Sequence, residues 1–218
     1  MTIKGIIFDL DGVITDTAEY HFLAWKRLAD EENLDFTRED NEQLRGVSRR
    51  ESLKRLLKGK VISEDKMQSW MHRKNEYYKA YLDDITPDDL LPGVSNFLEE
   101  AQAQGLKLAI GSASKNAKPV IEKLNLINVF EVIGDGYSVV NAKPAPDLFV
   151  WVAGGLHLHV ADVIVFEDSP AGIDAAKSAG CKTVGIGKSK LSHADFAVRS
   201  FEEITLNDVI NKLMNTTL

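Results

Sequence analysis

Short apolar runs alternate with helix-patterned stretches along most of this 218-residue chain, and the alternation breaks in one interval. The runs are Gly5-Ile6-Ile7-Phe8, Lys107 to Ile110, Phe130 to Ile133, Val163 to Phe166 and Thr183 to Ile186. Continuous apolar runs of this length fit strands covered on both faces. Helical patterns separate them at Val94 to Gln104, Ala117 to Leu124, Asp147 to Gly154, Ala171 to Ala179 and Leu206 to Met214. Such alternation predicts an α/β fold with a doubly wound parallel sheet, Rossmann-like in kind. From about Asp16 to Leu82 nothing reads as a strand. Helical patterns cover Ala18 to Glu32, with Phe22, Trp25, Leu28 and Ala29 on one face, then a segment after Ser48, then Ser63 to Leu82. The expectation is an inserted helical cap domain, residues 16–87, within a core built from 1–15 and 88–218. Its joints, Val13 to Thr17 and Thr86 to Gly93, are candidate hinges, the second marked by Pro87, Pro92 and Gly93.

Composition narrows the partners. A net charge of -7 argues against nucleic acid, whose phosphates demand a broad basic face. No apolar stretch approaches a membrane span, and Met1-Thr2-Ile3-Lys4 carries no leader pattern, so a cytoplasmic protein is expected. Cys181 is the single cysteine; placed after Gly180, it reads as a small buried hydrophobe entering a strand. Nothing suggests an obligate partner, and a monomer is expected.

Chemistry gathers where the strands should end, which is where parallel sheets hold their ligands. Asp9 and Asp11 follow the first run in Asp9-Leu10-Asp11-Gly12. Two carboxylates in a crevice need a cation between them or a proton on one, although Asp-Gly is also an ordinary turn. Ser112 and Ser114 follow Leu108-Ala109-Ile110 through Gly111, offering hydroxyls and amides to a phosphate, or a turn that caps the next helix. Lys143 is stiffened by Pro144 and Pro146. Glu167 and Asp168 end the fourth run, and Ser169-Pro170 opens a helix in the order N-cap, N1 proline. Carboxylates at two strand ends favour a hard cation such as Mg²⁺. Together these are the parts of phosphoryl transfer.

In the insert, Ser48-Arg49-Arg50-Glu51 predicts a capping box with Glu51 at N3. On that helix Arg49, Ser52, Leu53 and Leu56 share a face, while Arg50, Lys54 and Lys58 form another stripe. Arg49 therefore points inward beside a helix N-terminus and is a candidate phosphate clamp, and the other stripe is a solvated basic face. Thr17, His21 and Trp25 fall four apart on one helical face.

Asp9-Leu10-Asp11-Gly12, Ser112, Lys143-Pro144 and Glu167-Asp168 resemble the four signature motifs of the haloacid dehalogenase superfamily of phosphotransferases. Phe8 to Trp25, Arg45-Gly46-Val47-Ser48-Arg49, Ser112 to Asn116 and Lys143 to Asp147 extend the likeness to its hexose-phosphate mutases, over essentially the whole chain. The resemblance implies an isomerase that interconverts β-glucose 1-phosphate and glucose 6-phosphate through an aspartyl phosphate and β-glucose 1,6-bisphosphate. By it Asp9 is the nucleophile and Asp11 the general acid/base. Mg²⁺ would sit on Asp9, the Asp11 carbonyl and Asp168, with Glu167 nearby, and Ser112, the Ala113 amide and Lys143 would hold the transferring phosphoryl group. It also points to Arg49 as the distal clamp and to Thr17, His21, Trp25, Arg45, Gly46, Val47, Ser48, Ser52, Lys74, Ser114 and Asn116 around the substrate. Arg45 stands where lysine is expected, and Gly111 where a larger residue is expected. A sugar-phosphate phosphatase of the same fold shares every core motif, and a non-catalytic phosphosugar-binding regulator is the remaining alternative.

Overall fold

The computed structural model describes residues 2–44, 47–187 and 191–215. Its sheet is built from β1 (Gly5–Phe8), β2 (Lys107–Gly111), β3 (Val132–Gly134), β4 (Val163–Glu167), β5 (Lys182–Ile186) and β6 (Phe196–Val198). Their order is β3-β2-β1-β4-β5-β6, and every pairing is parallel. β1 lies centrally because both its faces are apolar: Ile6 and Phe8 pack one way, Ile7 the other. Helices cover both faces. α5 (Val94–Ala103), α6 (Ala117–Lys123) and α9 (Leu206–Asn215) lie over the Ile6 side, where Phe8 is ringed by Phe97, Phe130, Phe166 and Phe201. α7 (Asp147–Gly155) and α8 (Pro170–Ala179) cover the Ile7 side. Strand order reverses next to β1, so its carboxyl end opens on a crevice.

The insert holds α1 (Ala18–Glu31), α2 (Arg38–Glu42), α3 (Arg49–Leu56) and α4 (Glu64–Leu82). Phe22, Trp25, Leu28, Leu53, Leu56 and Trp70 give it a core of its own, each buried side chain contributing about 2 kcal/mol. The chain leaves the sheet at Ile14-Thr15 and returns at Asp89 to Leu91. Those two strands of chain are tied by Thr15 Oγ1 donating to the Asp89 carbonyl at 2.7 Å and Leu91 N to Ile14 O at 2.9 Å.

Four local expectations are corrected. The third strand runs Val132–Gly134, two residues late at its start, because Phe130 turns into the aromatic core. β6 was not anticipated, since two half-covered residues around an exposed Ala197 leave little pattern. α2 was also missed, although Thr37 and Asp40 form the reciprocal capping box that signals it. At α3, Ser48 Oγ accepts from Glu51 N at 3.3 Å, but the Glu51 carboxylate turns to Arg55 instead of back to the cap. The expected single-turn devices elsewhere stand: Ser169 Oγ accepts from Gly172 N at 3.1 Å with Pro170 at N1.

Gly111 has a physical reason. A Cβ there would lie 2.9 Å from Ile7 Cγ2 and 3.0 Å from Phe149 Cε1, so the Phe149 ring takes the space a larger residue would need.

Candidate active site

A cavity of about 940 Å³ opens between the carboxyl ends of the central strands and the insert. Asp9, Asp11, Ser112, Ala113, Ser114, Lys143 and Asp168 line it from the sheet. His21, Trp25, Val47, Ser48, Arg49, Ser52 and Lys74 line it from the insert. Thr17, Asn116 and Glu167 stand one layer behind, each bonded to a group near the cavity. Arg45 and Gly46 lie outside the described residues.

Asp9 extends β1, its N–H bonded to Phe166 O at 2.9 Å, which fixes the carboxylate at the strand end. Lys143 Nζ donates to Asp9 Oδ1 at 2.7 Å and to Glu167 Oε1 at 2.6 Å, with both partners buried. The Lys143–Pro144 peptide is cis. Glu167 also accepts from Ser169 N at 2.8 Å and Ser169 Oγ at 2.9 Å. Burial would depress the Lys143 ammonium, but Asp9 and Glu167 hold it above its ordinary range. Asp9 is pushed well above the usual carboxylate range by burial, and Glu167, Asp168 and Asp11 add to the push against Lys143.

The same crowding gathers ligands that could hold a metal ion. Asp9, Glu167 and Asp168 each offer a carboxylate oxygen, all within 4.8 Å of one another. Three carboxylates gathered around the Lys143 ammonium suit a divalent cation with hard oxygen ligands. Gly12, at φ +83, makes room: a Cβ there would collide with Asp168 Oδ2.

Asp11 is held differently. It is half-buried, and Thr17 Oγ1 donates to Asp11 Oδ1 while Tyr78 OH donates to Thr17 Oγ1 at 3.1 Å. Burial raises the Asp11 carboxyl, and the Thr17 hydroxyl partly offsets it. A carboxyl that keeps its proton more readily than usual is suited to giving and taking one.

Ser112 is buried, its N–H bonded to Gly134 O at 3.0 Å. The turn after it is built from hydroxyls: Ser112 Oγ accepts from Ser114 N at 3.1 Å, and Ser114 Oγ from Asn116 N at 3.2 Å.

The insert supplies cations. Arg49 comes from the first turn of α3 and Nη2 donates to Asn75 Oδ1 at 2.7 Å. Burial lowers its guanidinium from the ordinary value. Lys74, on α4, is only 2% exposed, with Nζ 2.7 Å from His21 Nδ1 and over the Trp25 and Tyr78 rings at 5.1 and 4.6 Å. His21 stacks on Tyr78 at 4.1 Å. Burial drives both Lys74 and His21 well below their usual ranges, Arg49 adds to each effect, and the Lys74 charge also lowers His21. The expected solvated stripe is solvated: Arg50 pairs with Glu64 and Lys58 with Asp40 at the surface. Asn75 and Tyr78, which sequence spacing did not single out as site residues, sit inside this network, as do Lys115 and Tyr137 on the rim of the cavity.

A parallel sheet with an inserted helical cap, an aspartate pair after β1, a serine after β2, a lysine before a cis-proline and an acidic pair after β4 describe a class of phosphate-handling enzymes. The chain belongs to the haloacid dehalogenase-like hydrolase family, which it matches over residues 6–186. Within that family it is a homologue of β-phosphoglucomutase. It is 43% identical over 209 residues to the β-phosphoglucomutase of Bacillus subtilis, covering 93% of this chain and 92% of that one. The crystal structure of β-phosphoglucomutase from Clostridium difficile superposes with a TM-score of 0.94 at 38% identity, covering 98% of both chains. A phosphorylated carbohydrates phosphatase of Thermotoga maritima is 31% identical over 92% of this chain and 96% of its own length. Among the described residues no helix is long and apolar enough to cross a membrane.

Proposed function

We propose that this enzyme interconverts β-glucose 1-phosphate and glucose 6-phosphate, with β-glucose 1,6-bisphosphate as the intermediate, and acts as a cytoplasmic monomer. The observation that carries this reading is the placement of Arg49. It lines the same cavity as Asp9 and Lys143 but arrives from the insert, so the cavity has a cation on each side, Lys143 among the carboxylates of the sheet and Arg49 opposite. A substrate that carries a phosphate at each end needs both; a monophosphate hydrolase needs only one.

In this reading an Asp9 oxygen attacks phosphorus and the bond to the sugar oxygen breaks, leaving an aspartyl phosphate. Asp11 protonates the departing oxygen, and in the other direction it takes the proton from the attacking hydroxyl. Ser112, the Ala113 amide and Lys143 surround the moving phosphoryl group, where charge spreads over its equatorial oxygens. Asp9, the Asp11 carbonyl and Asp168, with Glu167 behind Lys143, would hold Mg²⁺, which supplies charge neutralisation for Asp9 and phosphate together. The bisphosphate turns around so that Arg49 holds the phosphate just delivered. Residues 16–87 act as a cap that closes on 1–15 and 88–218 about the paired strands at Thr15 and Leu90, excluding water. His21, Trp25, Val47, Ser48, Ser52, Lys74, Ser114 and Asn116 contact or orient the sugar, and Thr17 carries cap position to Asp11.

The phosphatase reading is favoured by the Thermotoga maritima relative and differs only in the acceptor. A phosphorus NMR time course with β-glucose 1-phosphate, Mg²⁺ and a trace of bisphosphate separates the two. Glucose 6-phosphate is expected; accumulation of inorganic phosphate instead would make the enzyme a phosphatase. Asp9→Asn should form no acyl phosphate, and Arg49→Ala should divert phosphoenzyme from sugar to water.

A further inference from the structure

Asn75 stands at the seam between insert and sheet, only 8% exposed, one residue beyond Lys74 on α4. Its Oδ1 takes two hydrogen bonds from distant parts of the chain: Arg49 Nη2 at 2.7 Å, from the start of α3, and Asn116 Nδ2 at 2.9 Å, from the N-cap of α6 in the core. Chemistry fixes the orientation of both amides. Arg49 can only donate, so Asn75 must present its oxygen, and Asn116 must then turn its NH₂ inward. Asn116 in turn is held by the Ser112–Ser114 turn, through its own N–H on Ser114 Oγ. One carbonyl oxygen thus refers the guanidinium in the cap to the phosphate-binding turn on the sheet.

We propose that Asn75 is a positioning residue that sets the distance between the two phosphate sites by aiming Arg49 from a point anchored on Asn116. The inference rests on the reading of Arg49 as the distal-phosphate clamp. A guanidinium on a flexible stem loses much freedom on binding, and one hydrogen bond made in advance removes part of that cost while leaving its other N–H groups for phosphate oxygens. The Asn75–Asn116 bond exists only when cap and core are together, so closure brings an Arg49 already aimed by Asn75 into register with the phosphate-binding turn.

The test measures kcat and KM for β-glucose 1-phosphate in Asn75→Ala, Arg49→Ala and the double variant. Rates are expressed per active site titrated by acyl-phosphate labelling of Asp9, so that misfolded protein does not count. Asn75→Ala should lower kcat/KM about tenfold, mainly through KM, consistent with loss of one charge-assisted bond. In the Arg49→Ala background the same substitution should cost less than twofold. Equal losses in both backgrounds would overturn the inference, because Asn75 would then act through packing alone. A damaging Arg49→Ala with a neutral Asn75→Ala would also overturn it and leave the clamp standing; a neutral Arg49→Ala would remove the clamp and this inference together. Asn75→Asp keeps the acceptor and the fold but pairs ionically with Arg49. Its KM should rise at least as much and recover as the pH is lowered; a native KM at neutral pH would refute the proposal.

Discussion

Lys74 is buried at a cost in stability, and Lys74→Met should expose that cost. Its ammonium is 2% exposed, bonded to His21 Nδ1 at 2.7 Å and placed over two rings, and among the described residues no carboxylate pairs with it; Asp11 acts only at longer range. Burying an ammonium in this way costs several kcal/mol. Methionine has nearly the same length and volume, so packing is kept. The variant forfeits the bond to His21, about 1 kcal/mol, and the ring contacts, about 1 to 2 kcal/mol. A net gain of roughly 1 to 2 kcal/mol remains, which raises Tm by about 2 to 8 °C in a domain this size. The sign with pH follows from the depressed ammonium. Stability from a group whose folded-state value is lowered is present above its unfolded value, 10.5, and is lost as the pH falls. The gap between variant and wild type should therefore widen from pH 10 to pH 7, by up to about 1.4 kcal/mol per unit. Urea melts of both proteins across that range measure it, with mutase turnover falling in the variant. A variant no more stable than wild type, or a gap independent of pH, would refute the reasoning.

Three further outcomes follow from the same geometry. Gly12→Ala places a Cβ against Asp168 Oδ2 at a backbone φ of +83, so metal affinity by calorimetry should fall at least tenfold, and stability by about 2 kcal/mol. Gly111→Ala crowds Ile7 and Phe149 beneath the site and should cost about 1 to 3 kcal/mol in urea melts while phosphoenzyme formation per folded molecule is kept. His21, held well below 6.5 by burial and then by Lys74 and Arg49, keeps its stabilising contribution above that value and loses it as the pH drops. Wild type should thus lose more stability between pH 7 and pH 5 than His21→Gln, and parallel curves would contradict this.

Most of the fold was legible because it depends on local pattern. Runs buried on both faces marked β1, β2, β4 and β5, and the missing strand between Asp16 and Leu82 marked the insert. What escaped was short or polar. β6 buries too little to leave a pattern, and α2 is five polar residues whose only signal is the Thr37 cap. The core of the site was legible for a related reason: strand ends converge by topology, so Asp9, Ser112, Lys143 and Asp168 could be placed in one crevice from their positions alone.

The insert side resisted because its chemistry depends on which helix faces meet. Periodicity aims Arg49 inward along α3, and on α4 it sets two polar residues, Lys74 and Asn75, among the apolar ones, where the residue types hide the burial. Lys74 and Asn75, read alone, are two polar residues on a long helix and look solvated. Contact with α1 buries the first against His21 and Trp25, and contact with α6 buries the second against Asn116. Both contacts cross more than 40 residues of sequence, although Lys74 and Asn75 stand on the face of α4 that Met67, Trp70, Tyr78 and Leu82 share. Burial of such groups costs free energy, and it persists because packing elsewhere on α4, at Met67, Trp70, Tyr78 and Leu82, compels it. Lys74 and Asn75 are thus polar groups that the apolar framework of α4 forces into place, which is why their position reads from the structure more readily than from the chain.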